Sequence, residues 1–115
     1  MPVMTPDDQK YLRLAFADLM NLLSDDPLDP IDPTTYREPS GDTCLHIAAI
    51  RGDLRAAQIL LSAGLDINLR GDMGNTPLHY ANAFNHFNVE QFLLKRGANA
   101  NLVNEFGETA ISCDT

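Results

Sequence analysis

The chain is short of cysteine, short of positive charge and free of long apolar runs, and each shortage removes a class of protein. Two cysteines in 115 residues do not make a disulfide framework. No apolar stretch approaches the roughly 20 residues of a membrane span. The first residues, "MPVMTPDDQK", show no basic segment followed by an apolar one, so the expected compartment is a reducing, cytoplasmic one. Eight bases face sixteen acids, for a net charge of −8. Such a chain repels phosphate backbones and anionic lipid surfaces, which disfavours nucleic-acid and membrane binding. A basic protein partner would be steered toward it.

The acid is unevenly spread. Residues 1–42 hold nine acids and three bases, whereas residues 43–115 hold seven and five. Asp25, Asp26, Asp29 and Asp32 crowd together without a compensating base.

What the chain does contain is a repeat, and its period is the step from Gly41 to Gly74, taken again to Gly107. By the same step Thr43 goes to Thr76 and Thr109. Leu45 and His46 go to Leu78 and His79, Ala48 to Ala81, Leu60 and Leu61 to Leu93 and Leu94, Gly64 to Gly97, and Asn68 to Asn101. Local rules predict the contents of each unit. Thr43 and Thr76 suit helix N-caps, and Pro77 suits a first helical position. A short helix, "CLHIAAIR" or "PLHYANAF", should stop near Gly52-Asp53 or Asn85-His86. A second, "LRAAQILLSA" or "FNVEQFLLKR", should end at Gly64 or Gly97, where glycine supplies the left-handed conformation that closes a helix. The Gly-, Asn- and Asp-rich stretch "LDINLRGDMGN" reads as a turn leading into the next unit.

"GNTPLHYA" and "LLKRGANAN", recurring at that period, resemble the ankyrin repeat. The resemblance implies an all-α solenoid of stacked helix-turn-helix units with hairpin loops. Two full repeats fall at about 38–70 and 71–103, and a half repeat at 104–115. Departures from the pattern are Cys44 in a proline's place, Leu65 in an alanine's, Asn82 for the second alanine, and Glu90 at a usually apolar place. They leave the fold intact and are expected to weaken local packing.

Residues 1–37 read as an N-terminal helical capping unit with an acidic Asp/Pro-rich connector. The helix candidate runs from Thr5, as cap, through "PDDQKYLRLAFADLMNLLS", and "LLSDDPLDPID" echoes "LLSAGLDIN". A terminal unit is expected because a repeat cannot bury its own apolar face alone. At the other end "FGETAISCDT" opens a first helix, and Asp114 stands where the pattern wants a buried alanine.

Chemistry-bearing residues are few. Cys44 and His46 could begin a metal site or a nucleophile–base pair, but His86 and Cys113 offer no short-spaced ligand pair beside them. Cys44 is expected to pack as a small apolar group, with some lowering of its thiol pKa at the helix N-terminus. The resemblance makes His46 and His79 structural, bridging loop and helix near the motif threonine. "DPLDPIDP" lacks the spacing, central glycine and closing glutamate of a calcium loop. No phosphate loop, catalytic triad or paired-carboxylate motif appears. No enzymatic activity, metal or cofactor is therefore expected.

The resemblance further implies that variable positions at hairpin tips and on the exposed side of the first helices contact partners. Here these include Asp42, Ile50, Arg51, Arg70, Asp72, Met73, Asn75, Phe84, Glu105 and Phe106, with Phe84 and Phe106 as the best anchors. Phe106 has an alternative, which is to fold over the open end of the stack. The expected function is non-enzymatic protein binding by a monomer. A stoichiometric inhibitor of a basic toxin, as in bacterial immunity proteins, suits the size and charge. An adaptor or regulatory scaffold for a cellular or host protein is the alternative.

Overall fold

The computed structural model describes residues 4–19 and 31–110. Five α-helices occur among them: α1 (Pro6–Ala15), α2 (Cys44–Arg51), α3 (Leu54–Ser62), α4 (Pro77–Ala83) and α5 (Phe87–Lys95). The unit is a helical hairpin, α2/α3 and then α4/α5, and the hairpins stack so that α2 lies on α4 and α3 on α5. Each turn inside a hairpin needs one left-handed residue, supplied by Gly52 (φ 72°) and, one period on, by Asn85 (φ 61°). Asparagine is among the few non-glycine residues that tolerate this region. Asp53 then caps α3 by accepting the Ala56 N–H.

Alanines make the stacking close. Ala48, Ala49, Ala56, Ala57 and Ala81 are all fully buried, which lets neighbouring helices approach without large side chains between them. Two apolar clusters result. One joins Leu12 of α1 and Phe16 at its C-cap to Ile31, Leu45, Ile47, Ile59 and Leu60. The other joins Leu78, Val89, Leu93 and Ala110 to Ala49, with Leu54 and Leu61 packed against it.

The loops repeat as faithfully as the helices. Glu38 N–H bonds the Asp42 carbonyl, Gly71 N–H the Asn75 carbonyl, and Asn104 N–H the Glu108 carbonyl, at 2.7–2.9 Å and one period apart. Isolated antiparallel bridges pair Arg37 with Thr43 and Val103 with Thr109, closing the first and third of these loops.

Helix α1 starts as its sequence predicts, with Thr5 Oγ1 accepting the Asp8 N–H and Pro6 in the first turn. It ends earlier than the apolar pattern suggests. Arg51 takes the Ala15 carbonyl at 2.8 Å and the Asp18 carboxylate at 2.7 Å, a cation placed on the carbonyl end of the helix. Tyr11 donates to Asp53 Oδ1 at 2.6 Å, while the Arg55 guanidinium lies 4.6 Å from the Tyr11 ring centroid. These contacts seat α1 on the first hairpin. The echo "LLSDDPLDP" and the residues Ile111 to Thr115, with Cys113 and Asp114, lie outside the described residues. Ile31, at the end of the Asp/Pro-rich run, is buried in the first cluster and so belongs to the core.

Candidate protein-binding surface

Both motif histidines tie one unit to the next. His46 Nδ1 accepts the Thr43 backbone N–H at 3.1 Å, so that nitrogen carries no proton. Its Nε2–H therefore donates, to Leu69 O at 2.8 Å and Asn75 O at 3.1 Å. His79 repeats the arrangement, with the Thr76 N–H on Nδ1 and Nε2 on the Glu108 carbonyl at 2.9 Å. Burial lowers the His46 pKa, an effect that the Asp42 charge opposes. The neutral ring is the form that fits, since a second N–H would face Thr43.

Cys44 is fully buried, and burial pushes its thiol up to about 12. The expectation of a lowered pKa is thus corrected: desolvation of the thiolate outweighs the helix N-terminus. Among the described residues, no three His, Cys, Asp or Glu side chains gather as a metal site.

The predicted contact residues divide into three groups. Asp42 is a correction. It is only 5% exposed, and its carboxylate accepts the Asp72 N–H at 2.8 Å and the Tyr80 hydroxyl at 3.0 Å on each oxygen. A carboxylate enclosed in this way is part of the scaffold and does not meet solvent. Arg51 is exposed, but its guanidinium is taken up by Ala15, Asp18 and the face of Phe16, on the side of α1. Ile50 is half-buried, and its carbonyl accepts from His86 Nε2 at 2.8 Å.

The remaining residues belong to the hairpins and the end of α4. Met73 sits at a hairpin tip with φ 56° and its side chain half out. Its carbonyl accepts the Glu105 N–H at 2.9 Å, so consecutive tips are joined. Asn75 is half-buried and accepts from Asn104 Nδ2 at 3.0 Å. Arg70 is exposed, with its carbonyl held by Arg37 at 2.8 Å. Asp72 is half-buried, and Glu105 is exposed. Phe84 and Phe106 are 51% and 67% exposed, and Val103 is open as well. Phe106 does not fold back over the described end of the stack.

Tyr80 is the residue the sequence reading missed. Its ring stands edge-on to His46 at 5.8 Å and tilted toward Phe84 at 6.4 Å, making a row from α2 to the end of α4. Burial, with the Asp42 charge and hydrogen bond beside it, raises its pKa. A signal existed: Tyr80 is the counterpart of Ile47 in the next unit, and a hydroxyl replacing a buried methyl group must find an acceptor. Phe87 was also missed; it is the counterpart of Leu54 but is 68% exposed.

Two of the departures from the motif meet each other. Asn82 Nδ2 donates to Glu90 Oε2 at 2.7 Å, so the polar replacement on α4 is matched by the one on α5. The expected weakening of packing there is offset by a charge-assisted bond.

Stacked helical hairpins, joined by loops and by a Thr–His pair that crosses to the next unit, define a helical repeat protein. The family model for ankyrin repeats (3 copies) matches residues 14–111. The chain belongs to the ankyrin-repeat family. A search of curated proteins gave no match. No helix among the described residues is long and apolar enough to cross a membrane.

Proposed function

We propose that this ankyrin-repeat protein is a protein-binding module that engages a basic partner through its hairpin tips and the end of α4. The observation that supports this most is the chemistry of that side. Met73, Phe84, Val103 and Phe106 are exposed there, with Asp72, Glu105 and Glu108 among them. Arg70 is an exposed base beside them, and from Gly71 to Ala110 the only further Lys or Arg residues are Lys95 and Arg96, at the C-terminal end of α5. Apolar anchors in an acidic setting favour a cationic surface, with the aromatic residues giving affinity and the acids giving association rate. A single-copy inhibitor of a basic toxin is the form of partner we favour, because acidic charge and a bare binding surface suffice for neutralisation. An adaptor role would need the same face but no particular charge on the partner.

The test is a pull-down from the source cell with the wild-type chain and with Phe84→Ala and Phe106→Ala. The expected result is one basic protein whose affinity falls steeply as salt rises and falls further, by about 1–2 kcal/mol, in each Phe variant. Neutralisation of that protein's toxicity at equal stoichiometry supports the inhibitor. Salt-insensitive binding, or binding indifferent to both Phe variants, refutes the acidic apolar face as the site.

A further inference from the structure

The Asp42 carboxylate accepts from two donors, at two different places in the following unit, and no ion pair reaches it among the described residues. Its donors are the backbone of the Met73 hairpin, through Asp72 N–H, and the helix α4, through the Tyr80 hydroxyl. Tyr80 in turn packs beside Phe84. We propose that Asp42 is a positioning residue that, with Tyr80, pins the Met73 hairpin tip to the helix bearing Phe84 and so holds the two exposed apolar groups as a fixed pair. The functional consequence rests on reading that face as the binding surface, whereas the pin is a property of the free protein.

The second interface shows what is particular to the first. One period on, the place of Asp42 is taken by Asn75, whose side-chain oxygen accepts from Asn104 Nδ2. The Glu105 N–H, counterpart of the Asp72 N–H, goes to the Met73 carbonyl instead. One tip is therefore held by a carboxylate from the preceding unit, the other by a backbone oxygen. The held tip is also the strained one, because Met73 is not a glycine yet keeps φ 56°. Gly71 leaves the room this needs, since a Cβ there would overlap Asp42 Oδ1. Losing the Asp42 acceptor of the Asp72 N–H would let the tip relax toward an ordinary conformation and turn the Met73 side chain away. A surface fixed before binding spends less free energy on ordering when the partner arrives.

The experiment is residue-resolved amide hydrogen exchange on the full chain, comparing wild type with Asp42→Ala, Asp42→Asn and Tyr80→Phe. The expected result for Asp42→Ala is at least a tenfold loss of protection at Asp72 and Asn75, with Leu93 and Leu94 of α5 unchanged. Asp42→Asn keeps an oxygen facing Asp72 and should restore most of that protection. Tyr80→Phe removes only a hydroxyl, so it tests the pin even where Asp42→Ala does not fold. It should loosen the Asp72 amide several-fold and shift the Phe84 ring resonances. Unchanged exchange at Asp72 in every variant overturns the proposal, as does a loss spread evenly over α2 to α5. Failure of the binding reading would show separately, as a captured partner indifferent to Phe84→Ala, and would leave the exchange result standing.

Discussion

Replacing Phe16 with alanine tests how α1 is held to the first repeat, and the structure gives two competing answers with different magnitudes. Phe16 is 2% exposed and lies in one cluster with Leu12, Leu45, Ile47 and Leu60. Truncating a fully buried phenylalanine costs about 3–5 kcal/mol, the sum of lost transfer energy and the cavity left behind. Beside the Tyr11–Asp53 and Arg51–Ala15 hydrogen bonds, the ion pair is Arg51–Asp18 at 2.7 Å, with side chains 36% and 62% exposed. Water screens a pair this open, and it contributes about 0–1 kcal/mol. The Arg51 guanidinium over the Phe16 ring, 5.7 Å from its centroid, adds about 0.5–1 kcal/mol. Burial therefore decides the attachment. Against a total stability of about 5–15 kcal/mol, Phe16→Ala should remove about a fifth or more, while Asp18→Asn should be barely measurable. Urea unfolding followed by far-UV circular dichroism reads both. With a slope of about 1–3 kcal/mol per molar, the Phe16→Ala midpoint should fall by roughly 1–5 M. A cooperative Phe16→Ala transition shifted by less than about 1 kcal/mol would refute the reasoning, as would an equal loss in Asp18→Asn.

The neutral His46 makes stability depend on pH in a defined direction. Its folded pKa lies below the ordinary 6.5, because burial disfavours the charged ring. Below pH 6.5 the unfolded chain therefore takes up a proton that the folded ring refuses, and stability falls as pH falls through this range. His46→Gln should lose that part of the slope between pH 7.5 and 5, measured by urea titration; an unchanged slope would count against the buried neutral ring. Cys44, its thiol pushed up to about 12 and fully buried, should resist a thiol reagent at pH 8 in a Cys113→Ser background until the protein is unfolded. Fast labelling of the folded protein would contradict the burial. Gly71→Ala drives a Cβ into Asp42 Oδ1, with His46 Nε2 only 2.9 Å away, and should cost about 1–3 kcal/mol in the same unfolding assay. A neutral result would mean the Asp42 site is looser than the geometry requires.

The fold was legible because the repeat writes each structural device more than once. Thr43 and Thr76, His46 and His79, and Gly64 and Gly97 do the same work twice, so local rules and the offset agree. The end of α1 was not legible. Its apolar pattern continues past Ala15, yet the helix ends there, and the Ala15 carbonyl goes to the distant Arg51. The pairing of Asn82 with Glu90 was hidden for a similar reason: each was judged alone, as a polar residue in an apolar place, whereas they bond to each other.

The contact face was only partly legible, and Asp42 shows why. Stepping by the period finds positions that match, and it labels every unmatched position as free for a partner. Asp42, Asn75 and Glu108 are three different side chains at one place, so by that logic all face outward. Yet a position beside the hairpin also faces the next unit, and there the unmatched residue can be complementary to another unmatched one. Tyr80 replaces Ile47, Asp42 replaces nothing in the motif, and the two variable residues satisfy each other across the interface. Variation in a repeat thus marks two things, contact with a partner and contact between non-identical neighbours, and burial separates them. Met73, Phe84 and Phe106 are open, whereas Asp42 is closed. The closed residue holds the hairpin on which one of the open ones stands, which is why an aspartate beneath the surface should matter to binding as much as one exposed on it.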